Sequence, residues 1–194
     1  MDSSKAFDLI ERISSLLRSE IRTTGMDYDL QPIQLNVLHF LTQSNRYSDT
    51  LLGVTEYFGL TKGTLSQTVK ALESKGLIKK VTDKQDGRVT HLHVTRQGKK
   101  LVETLLPPQK AQKTWEILTE KNQAQLIEGL QEFLQTMQET NGMKSFGVCQ
   151  TCRFNTKRGE GKFFCELTQE NLSETDVTLL CREYQTPENE TAKS

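Results

Sequence analysis

The sequence predicts a mainly α-helical fold with one small β-hairpin and, near the C-terminus, a small cysteine-rich appendage. Apolar residues recur every three or four positions along most of the first 140 residues, which is the period of an amphipathic helix. Asp86-Gly87 lies between two short runs of strand-forming residues, and this pair is a strong signal for a hairpin turn. All four cysteines lie in the segment from Cys149 to Cys181.

Four helices are predicted before the hairpin. The first covers residues 6–22, and Gly25 with the polar stretch to Gln31 is expected to break it. The second begins at Pro32, because proline is tolerated in a first helical turn. The third is short and covers about residues 50–58. The fourth follows Thr61, a good N-cap residue, and stops at Gly76, a residue type that commonly ends helices. These segments supply most of the apolar residues of the predicted core.

Further helices are predicted after the hairpin. Thr95 is the expected N-cap of a helix over about residues 96–106, and Pro107-Pro108 interrupts it. Residues 109–140 are predicted to be helical again, with a break near Thr119. The predicted helices after the hairpin are therefore longer than the core of a small domain requires.

Residues 50–94 have the order of a helix-turn-helix with a wing. A short helix, a turn of about three residues that contains Gly59, a second helix and a two-stranded hairpin follow one another. In the second helix Leu65, Val69 and Leu72 form one apolar stripe, which leaves the opposite face free. The fold class predicted is thus a winged helix-turn-helix with long dimerisation helices and a cysteine-rich appendage.

The free face of the second helix suits nucleic acid. Residues 55–100 contain ten Lys or Arg and four Asp or Glu, a charge of +6 in a chain whose net charge is 0. On charge alone, an ordinary solvated face is an equal alternative. Short polar and long basic side chains can contact base edges and phosphates in a major groove. The predicted DNA-binding residues of this helix are Lys62, Thr64, Ser66, Gln67 and Lys70.

The predicted wing adds Lys84 and Arg88 to this surface. Arg88 can enter a minor groove, whose negative potential attracts guanidinium groups. Asp86 is two residues away and is expected to orient Arg88 by a charge-assisted hydrogen bond. The alternative is an exposed hairpin with ordinary turn residues. The hairpin therefore indicates DNA binding only together with the helix pair beside it and the charge of +6.

These segments resemble a known family. Residues 60–78 (LTKGTLSQTVKALESKGLI) resemble the recognition helix of the MarR family of bacterial regulators, residues 83–88 (DKQDGR) resemble its wing, and residues 94–98 (VTRQG) are similar to its strand-to-helix signature. The resemblance covers about residues 6–140. It implies a homodimer that binds a pseudo-palindromic operator in double-stranded DNA, often under control of a small ligand or of oxidation. Gln85 departs from the pattern, since a basic residue is common there.

Two amphipathic stripes independently favour a homodimer. They lie within residues 7–21 and 126–137, far apart in sequence, and a small winged domain offers them no obvious partner. Packing them against a second copy would remove apolar surface from water, at roughly 25 cal/mol per Å². Two recognition helices would then face half-sites about one DNA turn, or ~34 Å, apart.

The chain is expected to stay in the cytoplasm and to lack enzymatic activity. No apolar run approaches the ~20 residues of a membrane helix, and the N-terminus has no secretory signal. We find no phosphate-binding glycine loop, nucleophile elbow or zinc-protease motif. His39 is expected to pack in the core or an interface. His91 and His93 share a face of the second wing strand, where phosphate contact or solvent exposure is favoured over metal ligation.

The cysteines Cys149, Cys152, Cys165 and Cys181 have the spacing C-x2-C-x12-C-x15-C. In a cytoplasmic protein such clustering favours metal binding or redox chemistry over structural disulfides. Four thiolates can close a tetrahedral Zn²⁺ site or hold an iron–sulfur cluster. The sequence therefore identifies these four residues as candidate metal ligands.

The kind of centre stays open. Structural zinc sites often have two Cys-x-x-Cys pairs, and this chain has one. Phe154, Phe163 and Phe164 lie around the ligands and can shield a redox cluster from water, so an iron–sulfur cluster bound by the four cysteines is narrowly favoured over Zn²⁺. A thiol–disulfide switch without metal ranks third, and unrelated buried cysteines rank last. A capping box at residues 173–176 predicts that Cys181 lies near the end of a short final helix.

The predicted organisation has three parts. Residues 1–142 form the winged helix-turn-helix and dimerisation domain, residues 143–185 form the four-cysteine metal or iron–sulfur module, and residues 186–194 form a disordered tail. The module is expected to dock beside the dimerisation helices and to change DNA affinity with its metal or redox state. The alternative function is a metal- or redox-carrying protein that uses the winged fold for protein–protein contacts.

Overall fold

The computed structural model describes residues 2–187 and confirms the predicted mainly helical fold with a hairpin wing. The N-terminal part contains α1 (Ser3–Met26), α2 (Pro32–Gln43), α3 (Leu51–Phe58), α4 (Lys62–Ser74), β1 (Ile78–Thr82), β2 (Thr90–Val94), α5 (Arg96–Leu105), α6 (Gln109–Ile117) and α7 (Glu120–Thr140). The C-terminal part contains β3 (Gly147–Val148), a 3₁₀ turn (Cys149–Thr151), β4 (Asn155–Gly159), β5 (Lys162–Cys165), β6 (Glu170–Leu172), α8 (Glu174–Val177) and β7 (Leu180–Cys181). Among the described residues, no helix is both long and apolar enough to span a bilayer.

The predicted helix ends in the central domain are confirmed. The side chain of Thr61 accepts a hydrogen bond from the Thr64 N–H at the start of α4, and Thr95 does the same for Gly98 at the start of α5. Gly59 follows α3 with φ +61°, a conformation that glycine adopts without steric cost. The predicted break near Thr119 is also present, because Thr119 is the N-cap of α7.

The first helix is longer than the sequence predicts. Gly25 was expected to end it, yet α1 continues to Met26. The chain turns back directly after the helix, and the Leu30 N–H donates to the Gly25 carbonyl at 2.9 Å. A Cβ at residue 25 would lie 2.7 Å from the Leu30 carbonyl oxygen. Gly25 therefore permits close packing of the returning chain instead of breaking the helix.

One core lies where α2, α4, the wing strands and α5 meet. Phe40, Leu35 and Leu38 of α2 are almost completely buried, as are Leu65 and Leu72 of α4. The wing strands β1 and β2 pair antiparallel, with Ile78 opposite Val94 and Thr82 opposite Thr90. The wing is thus held at its base by the same core that fixes α4.

The C-terminal part, which we call the C-terminal module (residues 143–187), has a small core of its own. Strands β4, β5 and β6 form an antiparallel sheet in that order, and β3 pairs with β7. Its buried residues are Cys149, Leu172, Val177 and Cys181. Tyr47, which belongs to the connection between α2 and α3, packs against this core. A residue of the winged domain therefore belongs to the hydrophobic cluster of the module.

Two expectations for the C-terminal end change. The capping box at residues 173–176 is confirmed, but Cys181 lies in strand β7 after α8 instead of near the end of a helix. The module was expected beside the dimerisation helices, but it contacts mainly the connection before α3. One hydrogen bond, from Gln135 to Thr186, joins helix α7 to the module. The predicted tail at 186–194 lies outside the described residues except for its first two. The boundaries at 142 and 185 stay predictions.

Candidate nucleic-acid interface and cysteine cluster

Helix α4 buries one side and leaves the other free. Leu65, Thr68, Val69 and Leu72 are buried against the core. Of the predicted DNA contacts on this helix, one is half-buried and the others are exposed. Ser66 is the half-buried residue, and Lys62, Thr64, Gln67 and Lys70 are exposed. The polar side of α4 is thus available to a ligand over its whole length.

The wing presents its arginine in a fixed orientation. Both oxygens of the Asp86 carboxylate accept hydrogen bonds from the Arg88 guanidinium, at 2.9 Å from Nε and 2.8 Å from Nη2. The Arg88 side chain is nevertheless 90% exposed. The predicted orientation of Arg88 by Asp86 is therefore confirmed. Lys84, at the tip of the same hairpin, is exposed as well.

The turn of the wing is organised by Asp83. Its Oδ1 accepts hydrogen bonds from the backbone N–H groups of Gln85 and Asp86, each at 2.7 Å. Together with a hydrogen bond to His91, these contacts lower the pKa of Asp83 to about 2. The carboxylate is therefore charged over the whole physiological range, and the hairpin tip is held in one conformation.

His91 has a different role from the one we predicted. Phosphate contact or solvent exposure was expected, but the side chain is buried between two carboxylates. Its Nδ1 lies 2.6 Å from Asp49 Oδ1, and its Nε2 lies 3.1 Å from Asp83 Oδ2. Burial lowers the pKa of His91, but hydrogen bonds to Asp49 and Asp83 outweigh it and leave the pKa raised. His91 thus connects the wing to the connection before α3.

His93 follows the prediction in part. It is about half exposed, and its Nε2 lies 3.6 Å from Asp49 Oδ2. Sequence analysis missed Asp49 as the shared partner, since it lies 42 residues before His91. The only available signal was the acidic residue at the predicted start of α3, which is an ordinary position for an aspartate.

The four cysteines lie around one small core. The Cys152 N–H donates to the Cys149 carbonyl at 3.0 Å across the 3₁₀ turn. Cys165 is opposite Asn155 in the β4–β5 pair, and Cys181 is opposite Gly147 in the β3–β7 pair. All four thiols are free. The backbone of the module therefore gathers cysteines from three separate places in the sequence, the turn at Cys149–Cys152 and the strands β5 and β7.

Burial raises the pKa of Cys149 to about 12, and the charges of Cys181, Cys152 and Cys165 add to this effect. Within residues 2–187, however, no three His, Cys, Asp or Glu side chains stand in a ready-made metal-binding arrangement.

The predicted aromatic shield is only partly present. Phe163 packs against the cysteine core, on the same face of β5 as Cys165. Phe164 points to the other face, where the Arg158 guanidinium lies 3.3 Å from the centre of its ring. The ring of Phe154 is covered by Arg153 at 5.3 Å. One phenylalanine of three therefore contacts the cysteine core directly.

Residues 28–89 match the model of the MarR family. Among solved structures, the MepR–DNA complex of S. aureus is 25% identical with a TM-score of 0.56, over 67% of this chain and 96% of that one. A MarR transcriptional regulator from Methanosarcina mazei Go1 is 15% identical with a TM-score of 0.62, over 71% and 99%. Streptococcus pneumoniae FabT in complex with DNA is 23% identical with a TM-score of 0.57, over 72% and 99%. No curated protein sequence matches significantly.

These structures are matched over nearly their whole length, yet they account for only about 70% of this chain. The remainder has no counterpart in them. In its sequence over residues 28–89 and in its winged helix-turn-helix fold, the chain resembles the MarR regulators.

Proposed function

We propose that the chain is a sequence-specific DNA-binding transcription regulator, without enzymatic activity, that binds a pseudo-palindromic operator as a homodimer. The observation that carries this proposal is the exposed polar side of α4 beside the outward Arg88 of the wing. Short polar and basic side chains on such a helix can contact base edges and phosphates. The solved structures of MepR and FabT in complex with DNA support the same role for this fold.

The test is binding of the full chain to duplexes from the region upstream of its own coding sequence. A regulator of this kind binds its specific site about 10³ to 10⁷ times more tightly than unrelated DNA. We therefore expect one upstream duplex to compete far better than a random duplex of equal length. Equal binding of both would favour the alternative, in which the winged fold makes protein contacts for a metal- or redox-carrying protein.

Two exposed apolar faces support the homodimer. None of the 21 residues of α7, all of which the structure describes, is buried. Eleven large apolar residues of α1 and α7 are 40–67% exposed, although a soluble monomer would gain by covering them. These residues are Phe7, Leu9, Ile10, Ile13, Leu16, Leu126, Ile127, Leu130, Phe133, Leu134 and Met137.

We expect Leu130→Glu combined with Phe133→Glu to convert the dimer to a monomer, because each change would put an unpaired carboxylate into the apolar contact. Light scattering at micromolar concentration should give twice the chain mass of 22.1 kDa for the wild type and a single mass for the variant. Leu167→Glu is the control, since Leu167 is 45% exposed but lies in the C-terminal module. A wild-type monomer would contradict the dimer.

We further propose that Cys149, Cys152, Cys165 and Cys181 hold a metal centre that controls DNA affinity, an iron–sulfur cluster narrowly ahead of Zn²⁺. The turn at Cys149–Cys152 and the two strand pairs support this, because they bring four free thiols to one core. The thiols would have to rearrange to complete a ligand set, because no three ligating side chains within residues 2–187 stand in a metal-binding arrangement. The cysteine thiols would lose their protons on binding a metal and would ligate it as thiolates.

The absorption spectrum of protein purified without oxygen distinguishes the two metals. We expect visible absorption and bound iron for an iron–sulfur cluster, and a colourless protein with one zinc per chain for a zinc site.

Cys165→Ser should lower the metal content while the dimer stays folded, and DNA affinity should change about 5- to 150-fold. General unfolding of this variant would indicate a structural clip instead of a sensor. A metal-free wild type with unperturbed DNA binding would refute the metal centre.

A further inference from the structure

The C-terminal module is attached to the connection between α2 and α3, which we call the pre-α3 loop (residues 44–50). The carbonyl of Leu180 accepts hydrogen bonds from the Asn45 N–H and from the Ser48 hydroxyl, each at 3.0 Å. The Arg182 N–H then donates to Ser48 Oγ at 2.9 Å. Ser48 is completely buried by these contacts. The last strand of the module therefore holds the loop from which α3 begins.

A bidentate ion pair attaches the module to α3 itself. Arg182 Nε lies 2.7 Å from Glu56 Oε2, and Nη2 lies 2.8 Å from Oε1. The two side chains are only 18% and 23% exposed, so water screens this pair less than a surface pair. Arg182 directly follows Cys181, which belongs to the cysteine core. The pair thus places a module residue against the first helix of the helix-turn-helix.

An open groove of about 620 Å³ lies between this contact and the wing. Its walls come from the pre-α3 loop, the starts of α3 and α4, the wing strand β2 and the module. Four cations line it, with Glu183 as the carboxylate among its lining residues. The cations are Arg46, Lys62, Arg88 and Arg182. Each of the three arginines is ion-paired with a carboxylate, so the groove offers guanidinium N–H donors and the Lys62 ammonium instead of a large net positive charge.

The chemistry of the groove suits a phosphodiester. Thr50, the N-cap of α3, lines it, so the positive end of that helix adds to the attraction of the groove for an anion. Arg46 is half exposed and pairs with Glu170 of the module at 2.6 Å. A guanidinium has five N–H donors, so this pair leaves donors for a second anion. An open groove of this kind admits a continuous backbone as well as a small anion.

We propose that this groove binds a phosphate of the DNA backbone and that the C-terminal module forms one of its walls. Arg46 contacts the phosphate, and Arg182 is a positioning residue that neutralises Glu56 and fixes the pre-α3 loop. The inference rests on the proposed function, because it takes duplex DNA as the ligand of this face. It adds Arg46, which lies outside α4 and the wing, to the proposed DNA contacts, and it makes the module part of the DNA-binding surface.

The test uses the full chain and a fluorescent random-sequence duplex about three helical turns long, since phosphate contacts do not depend on sequence. Affinity is measured between about 50 and 200 mM salt. Arg46→Gln should weaken binding several-fold and reduce the salt slope by about one. Arg158→Gln is the matched control, because Arg158 lies in the module with a 3.2 Å ion pair to Glu166 and does not line the groove. It should leave both quantities unchanged.

The role of Arg182 is tested by rescue. Arg182→Gln leaves the Glu56 carboxylate without its partner beside the groove, and this charge would repel a phosphate. Binding should therefore weaken, and adding Glu56→Gln should restore most of it. A merely structural contact would give a double variant that binds no better than Arg182→Gln alone. Circular dichroism and gel filtration of each variant show whether the fold is kept.

The outcomes separate the inference from the proposed function. If the wild type binds neither upstream nor random duplex, the proposed function fails. If it binds DNA but Arg46→Gln changes neither affinity nor salt slope, the groove proposal is overturned. The same holds if inorganic phosphate binds the wild type tightly while DNA binding does not depend on Arg46, because the groove would then be a small-anion site. Arg46 is half exposed, so this variant is expected to fold.

Discussion

Leu65→Ala is expected to lower the free energy of unfolding by about 2 to 5 kcal/mol, whereas Gln67→Ala on the same helix should change it by less than about 0.5 kcal/mol. Leu65 is completely buried between α4 and the core, so the change removes apolar contacts and leaves a cavity. Gln67 is exposed. Urea unfolding of both variants, followed by circular dichroism, measures the two values.

In DNA binding, Gln67→Ala should have a direct effect and Leu65→Ala only an indirect one. Gln67→Ala should weaken binding to the specific duplex at unchanged stability, because a base contact is worth about 1 to 3 kcal/mol. Leu65→Ala should weaken binding only as far as the domain unfolds under the assay conditions. If Gln67→Ala destabilises the fold as much as Leu65→Ala, then the assignment of buried and free faces on α4 is wrong.

His91→Ala should destabilise the protein by on the order of 3 kcal/mol, because it removes the hydrogen-bonding partner of a buried carboxylate. Asp49 and His91 are each only 8% exposed. Burial raises the pKa of Asp49, and the hydrogen bond to His91 works against this, so loss of the imidazole makes the charged form more costly. The wing would also lose its contact with the connection before α3. Urea unfolding at pH 6 measures the loss, with Thr90→Ala as the control, because Thr90 is an exposed residue of the same strand.

The effect of His91 depends on pH in a defined direction. Its pKa is raised in the folded protein, so the stabilisation is fully present below the unfolded pKa of about 6.5. It is lost as the pH rises through the folded value. The stability difference between wild type and His91→Ala should therefore shrink from pH 6 towards alkaline pH. A difference that grows with pH would contradict the raised pKa.

At low pH the contribution of Asp83 to stability is lost. The pKa of Asp83 is lowered to about 2, so its contribution to stability is present above the ordinary carboxyl value near 3.8 and is lost as the pH falls towards 2. Asp83 is on the exposed hairpin, and the size of this contribution is therefore small. Asp83→Asn should remove this acid-dependent part and should also move the loss of the His91 contribution to lower pH, because Asp83 is one of the two carboxylates that raise the pKa of His91. Unfolding curves at low and at alkaline pH, with wild type as reference, measure the two effects.

Local signals in the sequence predicted the winged domain well. The caps at Thr61 and Thr95, the glycine after α3 and the Asp-Gly turn each act within a few residues, so a linear pattern contains them. The buried stripe of α4 follows from helical periodicity alone. The orientation of Arg88 by Asp86 could also be predicted, because the two residues are close neighbours in one turn.

Contacts between distant segments could not be predicted in the same way. Gly25 resembles a helix breaker in sequence, and only the return of the chain at Leu30 shows why a glycine is needed inside the helix. Asp49, one of the two partners of His91, lies 42 residues away in the chain, and Glu56, the partner of Arg182, lies 126 residues away. Nothing in the sequence near Cys181 indicates that its strand attaches to the pre-α3 loop. Arg46 was missed as a candidate for the same reason.

The central claim is that the free side of α4 enters a DNA groove, and lysine reactivity tests it most directly. Acetylation of the full chain, with and without the upstream duplex that binds best, is quantified at each lysine by mass spectrometry. We predict that the duplex protects Lys62 and Lys70 of α4 and leaves Lys121 of α7 as reactive as before. Unchanged reactivity of Lys62 and Lys70 in protein that is saturated with DNA would contradict the account.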